Sequence, residues 1–222
     1  MKIGLVGGTG RMGEGLALRW CVKHDIVVGS RDASKAVAAA QEYMKEALVY
    51  YGKVEGSIDG DENSRLVGYS DVVVLCIPYD NIEPTLDSIA KSIRDKSIVI
   101  CPIVPMSRSK DGFIYTPMHE HRDSAAMMVS SRLVNTRVVA TLHTISDVKL
   151  RRFTEPIDTD VLVCADDRDA VAVASELLKE IKNLRPLYVG PLSLAYQIES
   201  VTPMLLNISR QNSIKNPSIK IT

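Results

Sequence analysis

The run Gly8-Thr9-Gly10-Arg11-Met12-Gly13 lies between a strand-like segment, Lys2 to Val6, and a segment of helical period, Arg11 to Val22. In that strand, turn and helix setting, the G-x-G-x-x-G spacing constrains the fold more than any other feature of the chain. The glycines allow a tight turn and bring backbone close to a diphosphate. The helix that follows offers unpaired N–H groups and the positive end of its dipole to the same anion. A bare motif of this kind can also be a turn that merely packs. At the head of a chain that alternates strands and helices, it predicts dinucleotide binding by Gly8, Thr9, Gly10, Arg11, Met12 and Gly13.

The alternation is visible throughout the 222 residues. Short β-branched runs, Asp25 to Gly29, Asp71 to Ile77, Ser97 to Cys101, Arg137 to Leu142 and Asp160 to Cys164, are separated by segments of helical period. These are Ala33 to Leu48, Asn81 to Ile93, Ser124 to Val134 and Arg168 to Asn183, with Leu187 to Val189 as an edge strand and Ser193 to Asn212 as a last helix carrying Pro203. The first helix repeats Met12, Leu16 and Trp20 on one face. Tyr50 to Gly60 reads as a connection and Glu62 to Tyr69 as a short helix, while the polar segment Met106 to Arg122 is long enough to be a ligand-covering loop. The expected fold is α/β, a doubly wound and mostly parallel sheet with a small helical C-terminal part. Residues 1–145 are expected to form the dinucleotide-binding domain and 146–222 the smaller part.

Lys plus Arg and Asp plus Glu number 27 each, so the formal charge is zero and a general nucleic-acid partner is not expected. No apolar run approaches the roughly 18 residues needed to cross a bilayer, and no signal peptide precedes Ile3, so neither membrane nor export is expected. Cys21, Cys76, Cys101 and Cys164 are widely spaced within apolar runs. They read as buried thiols of a reducing cytoplasm rather than as a disulfide or metal set.

The end of the second strand selects the dinucleotide. An acid there would grip a free ribose 2′-hydroxyl, but the residues are Ser30 and Arg31, with Lys35 one helical turn further. A hydroxyl, a guanidinium fork and an ammonium together suit a 2′-phosphate, which favours NADP(H). Asp32 reads as a helix-starting residue. Solvated helix-start charges are the plainer reading of Arg31 and Lys35. Further on, Ile77-Pro78-Tyr79 and Pro102 to Met106, including Val104, fall at carboxyl ends of strands beside the crevice where such sheets bind ligands. They are candidates to wall a nicotinamide, although proline also simply ends a strand; Glu83 and Met106 carry the same two readings. Of the four histidines, His24, His119, His121 and His143, only His143 ends a strand, and no Ser/His/Asp or metal-ligand spacing is present. His119 and His121 are expected at the surface. Hydride transfer between stacked rings requires neither triad nor metal, so no catalytic side chain is assigned.

With these motifs in view, the sequence resembles the NADPH-dependent coenzyme F420 reductases. The likeness extends over nearly the whole chain, through Val28-Gly29-Ser30-Arg31, Val104-Pro105, Ser107-Arg108, Gly112-Phe113, Leu142-His143-Thr144-Ile145, Leu184-Arg185-Pro186-Leu187, Gly190-Pro191-Leu192 and Glu199-Ser200-Val201-Thr202-Pro203. The resemblance implies a Rossmann-type fold, NADP(H) and coenzyme F420 as the two coenzymes, and a homodimer. It implies hydride transfer between C4 of the nicotinamide and C5 of the 8-hydroxy-5-deazaflavin. It places nicotinamide neighbours at Ile77, Tyr79, Glu83, Val104, Met106, Ile145 and Asp147, and deazaflavin neighbours at His143, Thr144, Ile145, Thr202 and Asn207. Arg11 and Asp147 stand where the family more often has smaller residues, and the segment before Ser124 is slightly longer. Two other readings keep the dinucleotide half: an NADPH-dependent flavin or ferric reductase, and a non-catalytic NADP(H)-sensing regulator.

Overall fold

The computed structural model describes residues 1–118, 120 and 123–222. The elements run β1 (Lys2–Val6), α1 (Arg11–Trp20), β2 (Asp25–Ser30), α2 (Ala33–Tyr51), β3 (Ile58–Glu62), α3 (Asn63–Leu66), β4 (Val72–Leu75), α4 (Ile82–Ile89) and β5 (Ile98–Cys101). They continue with β6 (Met106–Arg108), β7 (Phe113–Tyr115), α5 (Ala125–Arg132), β8 (Arg137–Ala140), α6 (Asp147–Arg151), β9 (Thr159–Cys164), α7 (Arg168–Lys179), β10 (Leu184–Gly190) and α8 (Ala195–Asn212).

Eight strands form one sheet in the order β10-β9-β8-β5-β4-β1-β2-β3. The six from β8 to β3 are parallel, and the order reverses between β1 and β4, which opens the crevice at their carboxyl ends. Strand β4 is four residues, Val-Val-Val-Leu, buried on both faces as a central parallel strand must be. Its side chains alternate: Val72 and Val74 join the core layer containing Leu16, Trp20 and Leu177, whereas Val73 and Leu75 join the layer containing Leu86, Val129 and Ile198. Helices α1 and α7 therefore cover one face, and α4, α5 and α8 the other. Trp20 is fully buried and donates its indole N–H to the Leu177 carbonyl at 2.9 Å, tying the first helix to the seventh.

Four segments differ from the sequence reading. The polar run 50–60 reads as a connection but ends in β3, which pairs with β2 from Ile26 opposite Ile58 to Ser30 opposite Glu62. With the sequence Ile-Asp-Gly-Asp-Glu and one buried residue, this edge strand lacks the apolar run that would announce it. The helix expected over 62–69 is the single turn α3. Within 106–122, β6 and β7 form an antiparallel hairpin, Met106 opposite Tyr115 and Arg108 opposite Phe113. His119 and His121 lie outside the described residues. Strand β10 begins earlier than read and includes Pro186, which its place at the sheet edge tolerates.

After residue 145 the chain adds α6, β9, α7, β10 and α8. Strand β9 meets β8 in the opposite direction, through the single pairing of Ala140 with Cys164, and β10 follows β9 in parallel. The C-terminal tail is stitched to β9: the Ile219 carbonyl accepts from the Asp160 N–H and from Thr159 Oγ1, at 2.9 and 2.7 Å. The Asp160 carboxylate is inaccessible and takes two bonds from the Arg185 guanidinium, both 2.7 Å, and one from the Ile221 N–H.

Arg185 holds the Asp160 carboxyl down at about 2. Because the folded value lies below that of an unfolded aspartate, this contribution to stability is complete above the ordinary carboxylate range and is lost as pH falls toward about 2. Hydrogen exchange followed from pH 6 down to pH 2.5 is expected to show residues 217–222 losing protection before the central strands. Simultaneous loss in both would contradict this role for Asp160.

Candidate functional site

The site is built at the carboxyl ends of β1, β2, β4, β5 and β8. Gly7, just after β1, takes φ +71°, a left-handed conformation that glycine adopts without penalty, and turns the chain toward α1. Gly13 then packs directly on the turn, since a Cβ there would stand 2.2 Å from the Gly8 carbonyl oxygen. That contact sets the start of α1 against the glycine run. The helix opens at Gly10 with no side-chain cap, which leaves its first amides to an external acceptor.

At the tip of β2, Ser30 is half-buried and Arg31 exposed. Among the described residues no carboxylate pairs with Arg31. Asp32 is turned into the helix: its Oδ1 accepts from the Ser34 N–H at 2.9 Å, the Ser34 hydroxyl at 2.6 Å and the Lys35 N–H at 3.4 Å. These bonds, those of Ser34 foremost, hold the carboxyl below its usual range. It is thus the N-cap of α2, as its position suggests, and the cationic tip is left uncompensated.

Two cavities meet along Cys76, Ile77 and Pro78. The smaller, about 250 Å³, is bordered by Gly7, Thr9, Ser30, Arg31 and Asn63. The larger, about 610 Å³, is bordered by Arg11 and Met12 on one side and by Tyr79, Val104, Met106, His143, Asp147 and Thr202 on the other. The shared wall makes them adjoining parts of one site, the smaller cationic and hydroxylic, the larger mostly apolar. Burial pushes the Cys76 thiol up to about 12, so this wall is neutral.

Most of the residues read from sequence border this groove, and several do not. Lys35 and Glu83 are exposed and border neither cavity. Thr144 and Ile145 are 7% exposed, and Ile145 belongs to the core beside Leu150. Asn207 lies further along α8: its amide oxygen accepts the Phe113 N–H at 2.8 Å and its amide nitrogen donates to the Phe113 carbonyl at 2.7 Å. The residue thus clamps the β6–β7 hairpin to α8 and borders a separate apolar cavity with Phe113 and Met204. Arg11 and Asp147 face each other across the mouth of the larger cavity at 3.6 Å.

His143 follows Leu142, a fully buried leucine at φ +69°. Its carbonyl accepts the Thr202 hydroxyl at 2.8 Å, so strand end and α8 approach the groove as a unit. Among the described residues, Nε2 of the buried ring has no hydrogen-bond partner. The hairpin is held on the same helix by Glu199, whose carboxylate accepts from Ser124 Oγ, the Tyr115 hydroxyl and the Ala125 and Ala126 N–H groups at 2.8–3.0 Å. Asn63, absent from the sequence reading, anchors the glycine turn: its Oδ1 accepts the Gly7 N–H at 3.1 Å. Only its place just after β3 distinguishes it, and β3 has almost no apolar signature.

Residues 2–105 match the family model described as NADP oxidoreductase, coenzyme F420-dependent. The chain is 38% identical to the F420-dependent NADP reductase of Methanothermobacter thermautotrophicus, covering all of this chain and 95% of that one. It is 33% identical to that of Methanocaldococcus jannaschii, covering all of this chain and 98% of the other. In fold it is similar to the crystal structure of an Arthrobacter sp. FB24 protein, TM-score 0.82 at 20% identity, over 100% and 99% of the two chains. A pyrroline-5-carboxylate reductase from Coxiella burnetii shares the fold at TM-score 0.57 and 14% identity, over 96% of this chain and 72% of that one.

Burial lowers the His143 ring to about 3. A folded value this far below 6.5 keeps the ring neutral at physiological pH, and its contribution to stability is complete above about 6.5 and declines as pH falls below that. The His143 Cε1–H resonance is expected to stay flat between pH 5 and 8, whereas a titration near 6.5 would show the ring to be solvated.

Proposed function

The chain belongs to the F420-dependent NADP reductase family, and from that membership we propose that it catalyses reversible hydride transfer between NADP(H) and the 8-hydroxy-5-deazaflavin coenzyme F420. The observation that carries this reading is the pair of adjoining cavities, one bordered by a cation, Arg31, that has no carboxylate partner among the described residues, the other by mostly apolar walls.

The residues present fit the two coenzymes. Gly8, Thr9, Gly10, Arg11, Met12 and Gly13 receive the diphosphate at the open start of α1, and Ser30 and Arg31, with Lys35 at longer range, receive the 2′-phosphate. Ile77, Pro78, Tyr79, Val104 and Met106 wall the nicotinamide. His143 and Thr202 border the deazaflavin side, with Asp147 at the mouth. Bound together, the coenzymes supply all the redox chemistry, a hydride passing between nicotinamide C4 and deazaflavin C5. The protein aligns the rings and keeps water out. Neutral Cys76 and neutral His143 add no charge beside the hydride path.

On this reading residues 1–145 form the NADP-binding part and 146–222 the part lining the deazaflavin side. A homodimer is supported by exposed apolar side chains on one flank, Ile114, Met204 and Ile208. Four free cysteines fit the reducing cytoplasm.

The decisive assay mixes the protein with NADPH and oxidised deazaflavin and follows bleaching of the deazaflavin absorbance, with FMN, FAD and NADH as controls. Turnover with the deazaflavin and NADPH is expected. Turnover with flavins alone would favour a flavin reductase, and no redox turnover a regulator. Arg31→Ala is expected to weaken NADPH binding by about 1.5–3 kcal/mol, the scale of a hydrogen bond to a charged group, and to leave NADH nearly unchanged. Equal losses for both coenzymes would remove Arg31 from the 2′-phosphate site.

A further inference from the structure

Asn63 is 6% exposed and borders the smaller cavity beside Ser30 and Arg31. A backbone N–H can only donate, so the bond from Gly7 to Oδ1 fixes which end of the carboxamide meets the glycine turn. The NH₂ group must face the other way. Among the described residues it has no acceptor, yet it is not sealed from the cavity, since it is not among the fully buried atoms that lack a partner. A nearly buried donor without an acceptor is costly unless water or a ligand supplies one.

The location indicates which ligand group does so. Asn63 directly follows Glu62, which pairs in register with Ser30. A Cβ on Gly29 would fall 2.4 Å from Asn63 Oδ1, so the amide is packed against the tip of β2. The neighbouring acids are engaged elsewhere: Glu62 accepts from the Ser64 hydroxyl at 2.9 Å and Asp61 from the Tyr69 hydroxyl at 2.9 Å, and Arg65 stands 4.0 Å from each. The groups left facing the cavity at this end are therefore a hydroxyl, a guanidinium and an amide NH₂.

We propose that Asn63 determines coenzyme specificity: Oδ1 holds the Gly7 turn while Nδ2 donates to the adenosine 2′-phosphate alongside Ser30 and Arg31. This rests on the NADP(H) reading above. An ionised phosphate is a stronger, charged acceptor than a ribose 2′-hydroxyl, so an amide donor there favours it. A carboxylate of the same shape would keep the Gly7 bond and repel the phosphate.

Asn63→Asp makes that exchange. By calorimetry, its affinity for NADPH and for adenosine 2′,5′-bisphosphate is expected to fall at least 10-fold, with NADH and AMP within threefold of the unaltered protein and the melting temperature unchanged. Unchanged NADPH affinity, or equal losses for NADPH and NADH, would overturn the assignment. Should the variant fail to fold, the ¹⁵N-labelled unaltered protein provides a second measurement. The Asn63 NH₂ resonances are expected to shift with the bisphosphate and not with AMP, and no shift would equally overturn the proposal. If the unaltered protein binds NADPH and these tests fail, only the role of Asn63 is lost. If the unaltered protein shows no heat with NADPH, the coenzyme reading fails and takes this proposal with it.

Discussion

Everything at the carboxyl edge of the sheet depends on one contact, that of Gly13 with the Gly8 carbonyl. No side chain fits in the 2.2 Å that separates that oxygen from a would-be Cβ, so α1 can begin directly over the end of β1. This aims the first helical amides into the crevice between β1 and β4. From the same start, α1 carries Trp20 down to α7 and Arg19 across to α6, where the guanidinium serves the carbonyls of Lys149, Leu150, Arg152 and Glu155 at 2.9–3.1 Å. The glycine turn and the core are thus positioned by the same helix.

The far wall of the groove follows a different principle. Strand β9 runs against β8 and meets it only at the last residue of each, Cys164 opposite Ala140, with β10 following β9 in parallel, and the chain then lines the crevice with a helix. Helix α8 does so through polar bonds at separate levels: Glu199 to α5 and Tyr115, Thr202 to His143, and Asn207 to Phe113. Burial pushes the Glu199 carboxyl up, and the bonds it accepts from Ala126, Ala125, Ser124 and Tyr115 oppose that cost. The hairpin that bears Met106 is thereby carried by the helix that bears Thr202.

The parallel core was legible because burial on both faces leaves apolar runs such as Val72–Leu75, and the glycine run and Ser30-Arg31 were legible because their chemistry is local in sequence. Strand β3 was not, since an edge strand with one buried residue obeys no hydrophobic period. The reversal at β9 left no trace either, because Val161 and Val163 would read the same in both directions. In the site, Asn63 and Asn207 show the limit most clearly. For one there was no reading, and for the other the bonds to the hairpin had no signal in the sequence. Each commits its amide oxygen to a backbone N–H brought near by tertiary structure, 56 and 94 residues away along the chain.

Leu142 imposes a lasting constraint on this edge. Its φ of +69° suits glycine or asparagine, whereas its fully enclosed side chain suits a large hydrophobe. Glycine would relieve backbone strain of about 1–3 kcal/mol but vacate a leucine-sized space at a cost of about 2–5 kcal/mol, while asparagine would strand an amide in the interior. Neither exchange improves both demands at once. The position is a frustrated optimum with no single-substitution exit, and mutational drift near His143 is expected to proceed around it.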